Sequence, residues 1–130
     1  MDMRNKFYID AVLPPEMKMI ELRVTTTAAT ADLTPASGKR IRILGYHACS
    51  TVLDNLTSTV RATLCQGEGH ITVPAKIVCS YRHVNVNNPL CCSFSHLNLL
   101  GAVDEKVRLT NTTYTVGNVT TRAIIYYTEE

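Results

Sequence analysis

The amino-acid sequence predicts an all-β protein: a single-domain antiparallel β-sandwich, jelly-roll-like, of seven or eight strands with an extended N-terminal arm. Three observations predict it. Short runs that alternate apolar and polar residues recur along the chain, separated by Gly, Pro, Asn and Asp. The run Gly38-Lys-Arg-Ile-Arg-Ile-Leu-Gly45 sets a turn glycine and two cations before branched aliphatics that alternate with arginine. At the other end, Thr120-Thr-Arg-Ala-Ile-Ile-Tyr-Tyr-Thr-Glu-Glu130 puts arginine, aromatics and branched aliphatics on both faces, which suits a strand inside a sheet.

The first 18 residues differ from the rest, so residues 1–18 read as an arm and 19–130 as the sandwich domain. The arm holds Pro14-Pro15 and the apolar group Phe7, Tyr8, Ile9, Val12 and Leu13. A proline pair fixes φ and removes donors, so the segment is extended rather than a core strand. Its apolar residues need cover, from their own sandwich or from a neighbouring subunit. On the second reading those five residues are the partner-binding site.

From Lys18, Ile20, Leu22 and Val24 alternate with Met19, Glu21 and Arg23 as a first strand. Ala28 to Ser37 reads as a connection. The second strand spans about Lys39 to Ser50, with Ile41 and Ile43 on one face and Arg40, Arg42 and Leu44 on the other, and Asp54-Asn55 marks a turn. Ser58 to Leu64 follows with Val60, Ala62 and Leu64 facing in. Ile71, Val73, Ala75 and Ile77 keep the alternation through Pro74, which confines that piece to an edge or a bulge. Ala75 to Val84 has too many β-branched residues for a helix. Val84 to Pro89 is a loop, Leu90 to Leu100 a mixed segment, and Asp104 to Thr110 a short strand carrying Val107 and Leu109. A turn near Asn111 and a last hairpin over Thr113–Thr128, around Gly117-Asn118, complete the chain.

At 130 residues the chain buries roughly two-thirds of its unfolded surface, enough for one core. Hydrophobic residues make up 45% and charged residues 18%, which excludes disorder and points to surface covered by other subunits. The net charge of +2 is spread without a basic block, so nucleic acid is not the expected partner. The apolar patch Phe7 to Leu13 is too short for a signal peptide or a membrane span, so no membrane is implied and synthesis in a cytoplasm is expected. Five cysteines in such a chain read as reduced, buried thiols. The sequons at Asn55, Asn111 and Asn118 then signify turns.

Chemistry is sparse. His47 lies near Cys49, Cys79 near His83, and Cys91-Cys92 near His96, but none repeats the paired spacing of structural zinc, so no metal and no cofactor is expected. His47 and Cys49 nevertheless share one face of a strand. Cys49 and Cys91 lack the elbow of a catalytic nucleophile, and no spacing brings Glu68 and Asp104 together as paired carboxylates, so no catalytic residues are assigned. Gly67-Glu-Gly69 lacks the rest of a phosphate loop. With aromatics at 6% and no tryptophan, a stacking platform is weak, although Tyr81, His83 and His96 form a candidate solvent-facing cluster for a glycan or receptor. Tyr126 and Tyr127 fall on opposite faces, one core and one surface.

The succession Leu22-Arg-Val-Thr-Thr-Thr, Gly38-Lys-Arg-Ile-Arg-Ile-Leu-Gly45, Val60-Arg-Ala-Thr-Leu64, Asp104-Glu-Lys-Val-Arg-Leu109 and Val119 to Glu129 resembles the small jelly-roll structural proteins of tailed phages and related viruses, which decorate capsids or form head fibres. The likeness covers about Glu21 to Glu130; the five cysteines and the proline-pair arm depart from it. It implies a non-enzymatic virion protein, a homotrimer on the capsid exterior with the major capsid protein as partner. A carbohydrate- or receptor-binding sandwich such as a fibre tip, and a metal-dependent jelly-roll enzyme of cupin type, are the competing readings.

Overall fold

The computed structural model describes residues 16–25, 30–52, 60–67, 76–83, 90–113 and 119–130. These form nine strands: β1 Lys18–Val24, β2 Thr30–Leu33, β3 Ile41–Val52, β4 Val60–Gln66, β5 Ile77–His83, β6 Leu90–Phe94, β7 Leu99–Leu100, β8 Val107–Thr113 and β9 Val119–Glu129. One sheet has the order β1-β9-β3-β6, with β7 also on β3; the other has the order β2-β8-β4-β5. Within them β1 pairs β9, β2 pairs β8, β3 pairs β6 and β4 pairs β5, all antiparallel. That nesting is one long hairpin folded over into two layers, the wiring of a jelly roll. The expected fold class is therefore observed, with the C-terminal strand β9 between β1 and β3.

Alternation sets which residues meet between the sheets. Leu22 and Val24 of β1, Ile41 and Ile43 of β3, Leu64 of β4, Val107 and Leu109 of β8, and Ile125 and Tyr127 of β9 are buried in one cluster. Each such aliphatic side chain contributes about 1.5–3 kcal/mol when withdrawn from water. Tyr126, on the opposite face of β9, is half-buried, as the two-faced tyrosine pair predicts.

Four expectations change. Ala28–Ser37 is not only a connection, because Thr30–Leu33 pairs with β8; it has a single fully buried apolar residue, Leu33, too little for a visible period. Its register is held by Asp32, whose carboxylate accepts from Arg108 Nε at 2.7 Å and Nη2 at 2.8 Å. The described residues alone hold nine strands where seven or eight were expected, since Leu90–Leu100 contains β6 and β7. Asn111 stands in β8, 1% exposed, and not at a turn. Finally, Thr113–Thr128 is not a hairpin, because β8 and β9 belong to different sheets. Gly117-Asn118, Asp54-Asn55 and the arm residues Phe7, Tyr8, Ile9, Val12 and Leu13 lie outside the described residues.

Glycine is required at two places. Lys39 N–H donates to Ala36 O at 2.9 Å, closing a turn in which Gly38 has φ +77 and donates its own N–H to Asp104 Oδ1 at 2.7 Å. Gly45 sits at a bulge between Ile43 and Gly45 in the β3–β9 register. A Cβ there would stand 3.0 Å from the Phe94 carbonyl oxygen of the neighbouring edge.

Candidate functional site

Three features carry chemistry: the outer face of the larger sheet, a buried hydroxyl chain, and an apolar sheet edge. On the outer face β3 and β6 run antiparallel with Cys49 directly opposite Cys91 and His47 opposite Ser93. Cys49 and Cys91 form a disulfide, Cα to Cα 4.1 Å, closing a sequence separation of 42. The expectation of five reduced thiols is thereby corrected. Spacing along the chain did not show that Cys91 faces Cys49; the register did. His47 lies two residues from Cys49 on the same face, with Nε2 3.4 Å from Cys49 Sγ. Its placement was legible from period 2 alone. The Nε2 and two Sγ atoms all lie within 4.8 Å of one another, with His47 and Cys91 exposed.

Beside them Arg23, Cys49, Thr51, Thr120 and Arg122 line an open cleft of about 430 Å³. Arg23 and Arg122 are direct cross-strand partners in the β1–β9 register. Like charges placed opposite each other oppose pairing. Glu21 offsets this partly, with Oε1 3.7 Å from Arg122 Nε at half-exposed positions.

Between the layers a chain of hydroxyls joins the two sheets. Thr121 Oγ1 of β9 donates to Asn111 Oδ1 of β8 at 2.7 Å. Its only proton is then spent, so Ser50 of β3, at 2.7 Å, donates to Thr121, and Tyr81 of β5, at 2.8 Å, donates to Ser50. Burial pushes the Tyr81 phenol up to about 12. This places Tyr81 inside the sandwich and corrects the proposed Tyr81, His83, His96 surface cluster. His96 sits in an exposed bend with φ 63, and the His83 side chain lies outside the described residues.

Near this chain, Cys92 Sγ lies 3.5 Å from Tyr46 Oη. Burial, reinforced by Cys92, pushes the Cys79 thiol up to about 12. Burial likewise raises Tyr46 above the usual phenol range. These groups stay neutral at physiological pH, so the Cys79 thiol is a poor nucleophile. Asp104, one of the carboxylates considered for acid–base work, receives the Gly38 N–H as a turn residue. Glu105 is engaged by Lys76 Nζ at 2.9 Å.

The third feature is the edge formed by β6, β7 and the turn after them. Leu97 N–H donates to Leu44 O at 2.8 Å and Gly101 N–H to Ile41 O at 2.9 Å, so this whole segment runs along β3. It leaves Phe94 56%, Leu100 39% and Val103 48% exposed.

No family model matches the chain, and no curated protein matches it. Among solved structures it is similar to a Bacillus endospore appendage protein, described as forming a novel family of disulfide-linked pili, at 11% identity, covering 86% of each chain with a TM-score of 0.44. A nora virus chain gives 11% identity and a TM-score of 0.40, covering 87% of this chain and 56% of that one. A chain of infectious bursal disease virus, Gt strain, gives 8% and 0.37, covering 91% of this chain and 33% of the other. The chain thus spans about half and one third of the two viral chains. At these identities and scores none of their roles passes to this protein.

Proposed function

We propose that this protein is a non-enzymatic structural subunit of a virion, a capsid-decorating jelly roll that works by gripping copies of itself and the major capsid protein. The observation that carries the reading is the edge along β3, where β6 and β7 have β3 as their one strand partner among the described residues and Phe94, Leu100 and Val103 stand exposed. A sheet edge with large exposed apolar side chains is a surface that pairs with another chain. The occupant of this edge is a second copy, and closure of the contact gives a homotrimer on the shell exterior. Residues 1–18, with Phe7, Tyr8, Ile9, Val12 and Leu13, supply the anchor to the shell.

Sedimentation equilibrium tests the assembly. The 14.4 kDa chain should weigh three times its monomer mass, and Phe94→Asp with Val103→Lys should return it to a monomer with unchanged far-UV circular dichroism. Co-sedimentation with capsids tests the anchor: loss on deleting residues 1–15 supports it, and unchanged binding refutes it. A monomeric wild-type chain that ignores capsids refutes the whole reading.

A second reading, a receptor- or carbohydrate-binding sandwich such as a fibre tip, is favoured by the cleft between Arg23 and Arg122. Guanidinium groups beside the Thr51 and Thr120 hydroxyls suit an acidic sugar. Saturable binding of sialylated or sulfated glycans, lost in Arg122→Ala, would favour it over the first.

A further inference from the structure

We propose that His47, Cys49 and Cys91 form a redox-gated zinc(II) site on the outer face of the larger sheet, closed while the disulfide is intact and opened by thiol reduction. The three donors converge for structural reasons independent of any metal. Period 2 puts His47 and Cys49 on one face of β3, and the β3–β6 register brings Cys91 directly opposite Cys49. Imidazole and thiolate are the ligand types zinc prefers. For tetrahedral zinc with Zn–S about 2.3 Å and Zn–N about 2.0–2.1 Å, neighbouring N and S ligand atoms stand about 3.5 Å apart. The His47 Nε2 to Cys49 Sγ distance is 3.4 Å. Two strands hold the three side chains, so little backbone order has to be gained on binding. The fourth position faces water, because His47 and Cys91 are exposed.

The opening step balances as thiol–disulfide exchange. Two equivalents of a low-molecular-weight monothiol of the glutathione class supply two electrons and two protons. The Sγ–Sγ bond of Cys49 and Cys91 breaks, two protein thiols form, and the monothiols leave joined as their own disulfide. Exposure of Cys91 gives the reductant access. Arg122 is the register partner of Cys49 and lines the same cleft with Arg23. Zinc(II) then displaces both thiol protons to solvent and takes Cys49 Sγ, Cys91 Sγ and neutral His47 Nε2, leaving the centre without net charge. Modest rotation of the two cysteine side chains parts the sulfurs to the roughly 3.7 Å that tetrahedral thiolates require. The same pair of cysteines therefore ties β6 to β3 covalently when oxidised and through a metal when reduced.

The test uses cobalt(II) as the probe, titrated anaerobically into the full chain before and after reduction with a phosphine that binds metals weakly. The expected result is one equivalent per reduced chain with thiolate-to-cobalt charge-transfer absorption, and none for the oxidised chain. Cys91→Ser should lose the signal, His47→Ala should weaken binding at least tenfold, and Cys79→Ser with Cys92→Ser should leave it in place. Thermal unfolding provides a second reading: zinc should raise the midpoint of the reduced wild type and not that of Cys91→Ser. Equal cobalt binding by the oxidised chain or by Cys91→Ser overturns the proposal. So does a reduced wild-type chain that neither binds cobalt nor is stabilised by zinc.

Discussion

Replacing Thr121 by valine keeps the volume and β-branching of the side chain and removes one oxygen at the centre of the interior chain. Two hydrogen bonds vanish with it, Thr121 to Asn111 Oδ1 and Ser50 to Thr121, each 2.7 Å long. A net hydrogen bond is worth about 0.5–1.5 kcal/mol, and a buried polar atom left without a partner costs about 1–3 kcal/mol. Asn111 Nδ2 already has no partner among the described residues, so losing the contact at Oδ1 strips that amide of its side-chain anchor in a residue 1% exposed. These effects overlap, and the expected loss is about 2–4 kcal/mol. With a urea slope of about 1–3 kcal/mol per molar, the unfolding midpoint should fall by about 0.7–4 M at unchanged slope. Thr121→Ser, which keeps the oxygen, should stay within about 1 kcal/mol of the parent. Thr121→Val combined with Ser50→Ala should depart from additivity by about 0.5 kcal/mol or more, because the two share one bond. A Thr121→Val loss below about 0.5 kcal/mol, or strict additivity, would refute the argument that hydroxyls tie the two sheets together.

Alkaline pH should destabilise the fold in two steps. Cys79 rises from 9.0 to about 12 and Tyr81 from 10.0 to about 12, so the unfolded chain sheds these protons first. Stability should hold below pH 9, then fall by about 1.4 kcal/mol per pH unit, more steeply beyond pH 10, and Cys79→Ala should flatten the limb between 9 and 10 in urea melts. On the acid side, the Arg108 guanidinium holds the Asp32 carboxyl below its ordinary 3.8. Its stabilisation is complete above that value and lost as pH falls through the lower folded value; Asp32→Asn should cost about 1–2 kcal/mol at pH 7 and abolish that acid limb. Gly45→Val should cost about 1–3 kcal/mol, because its Cβ would meet the Phe94 carbonyl at 3.0 Å, and hydrogen exchange should quicken in β6 amides. Unchanged β6 protection would refute that account.

Strands with strong alternation were legible along the chain. Leu22 and Val24, Ile41 and Ile43, Ala62 and Leu64, and Val107 and Leu109 are all buried as their spacing requires. What failed to show was short or polar. β2 carries one fully buried apolar residue, and β8 runs past Thr110 through Asn111 to Thr113, where the sequence reads as a turn. Asn111 is tolerated there because Thr121 supplies a donor, a contact no local pattern announces. In the outer-face triad His47 and Cys49 could be placed together from spacing, whereas Cys91 could not.

The residue pattern alone determined the all-β class, the single sandwich and the inward faces of its longer strands, because a period of two is a local property of extended backbone. Strand partners depend instead on which distant segments bury each other's apolar faces. Only the tertiary structure therefore decided that β8 and β9 part into different sheets, that Cys91 joins Cys49 beside His47, and that Tyr81, Ser50, Thr121 and Asn111 link the layers.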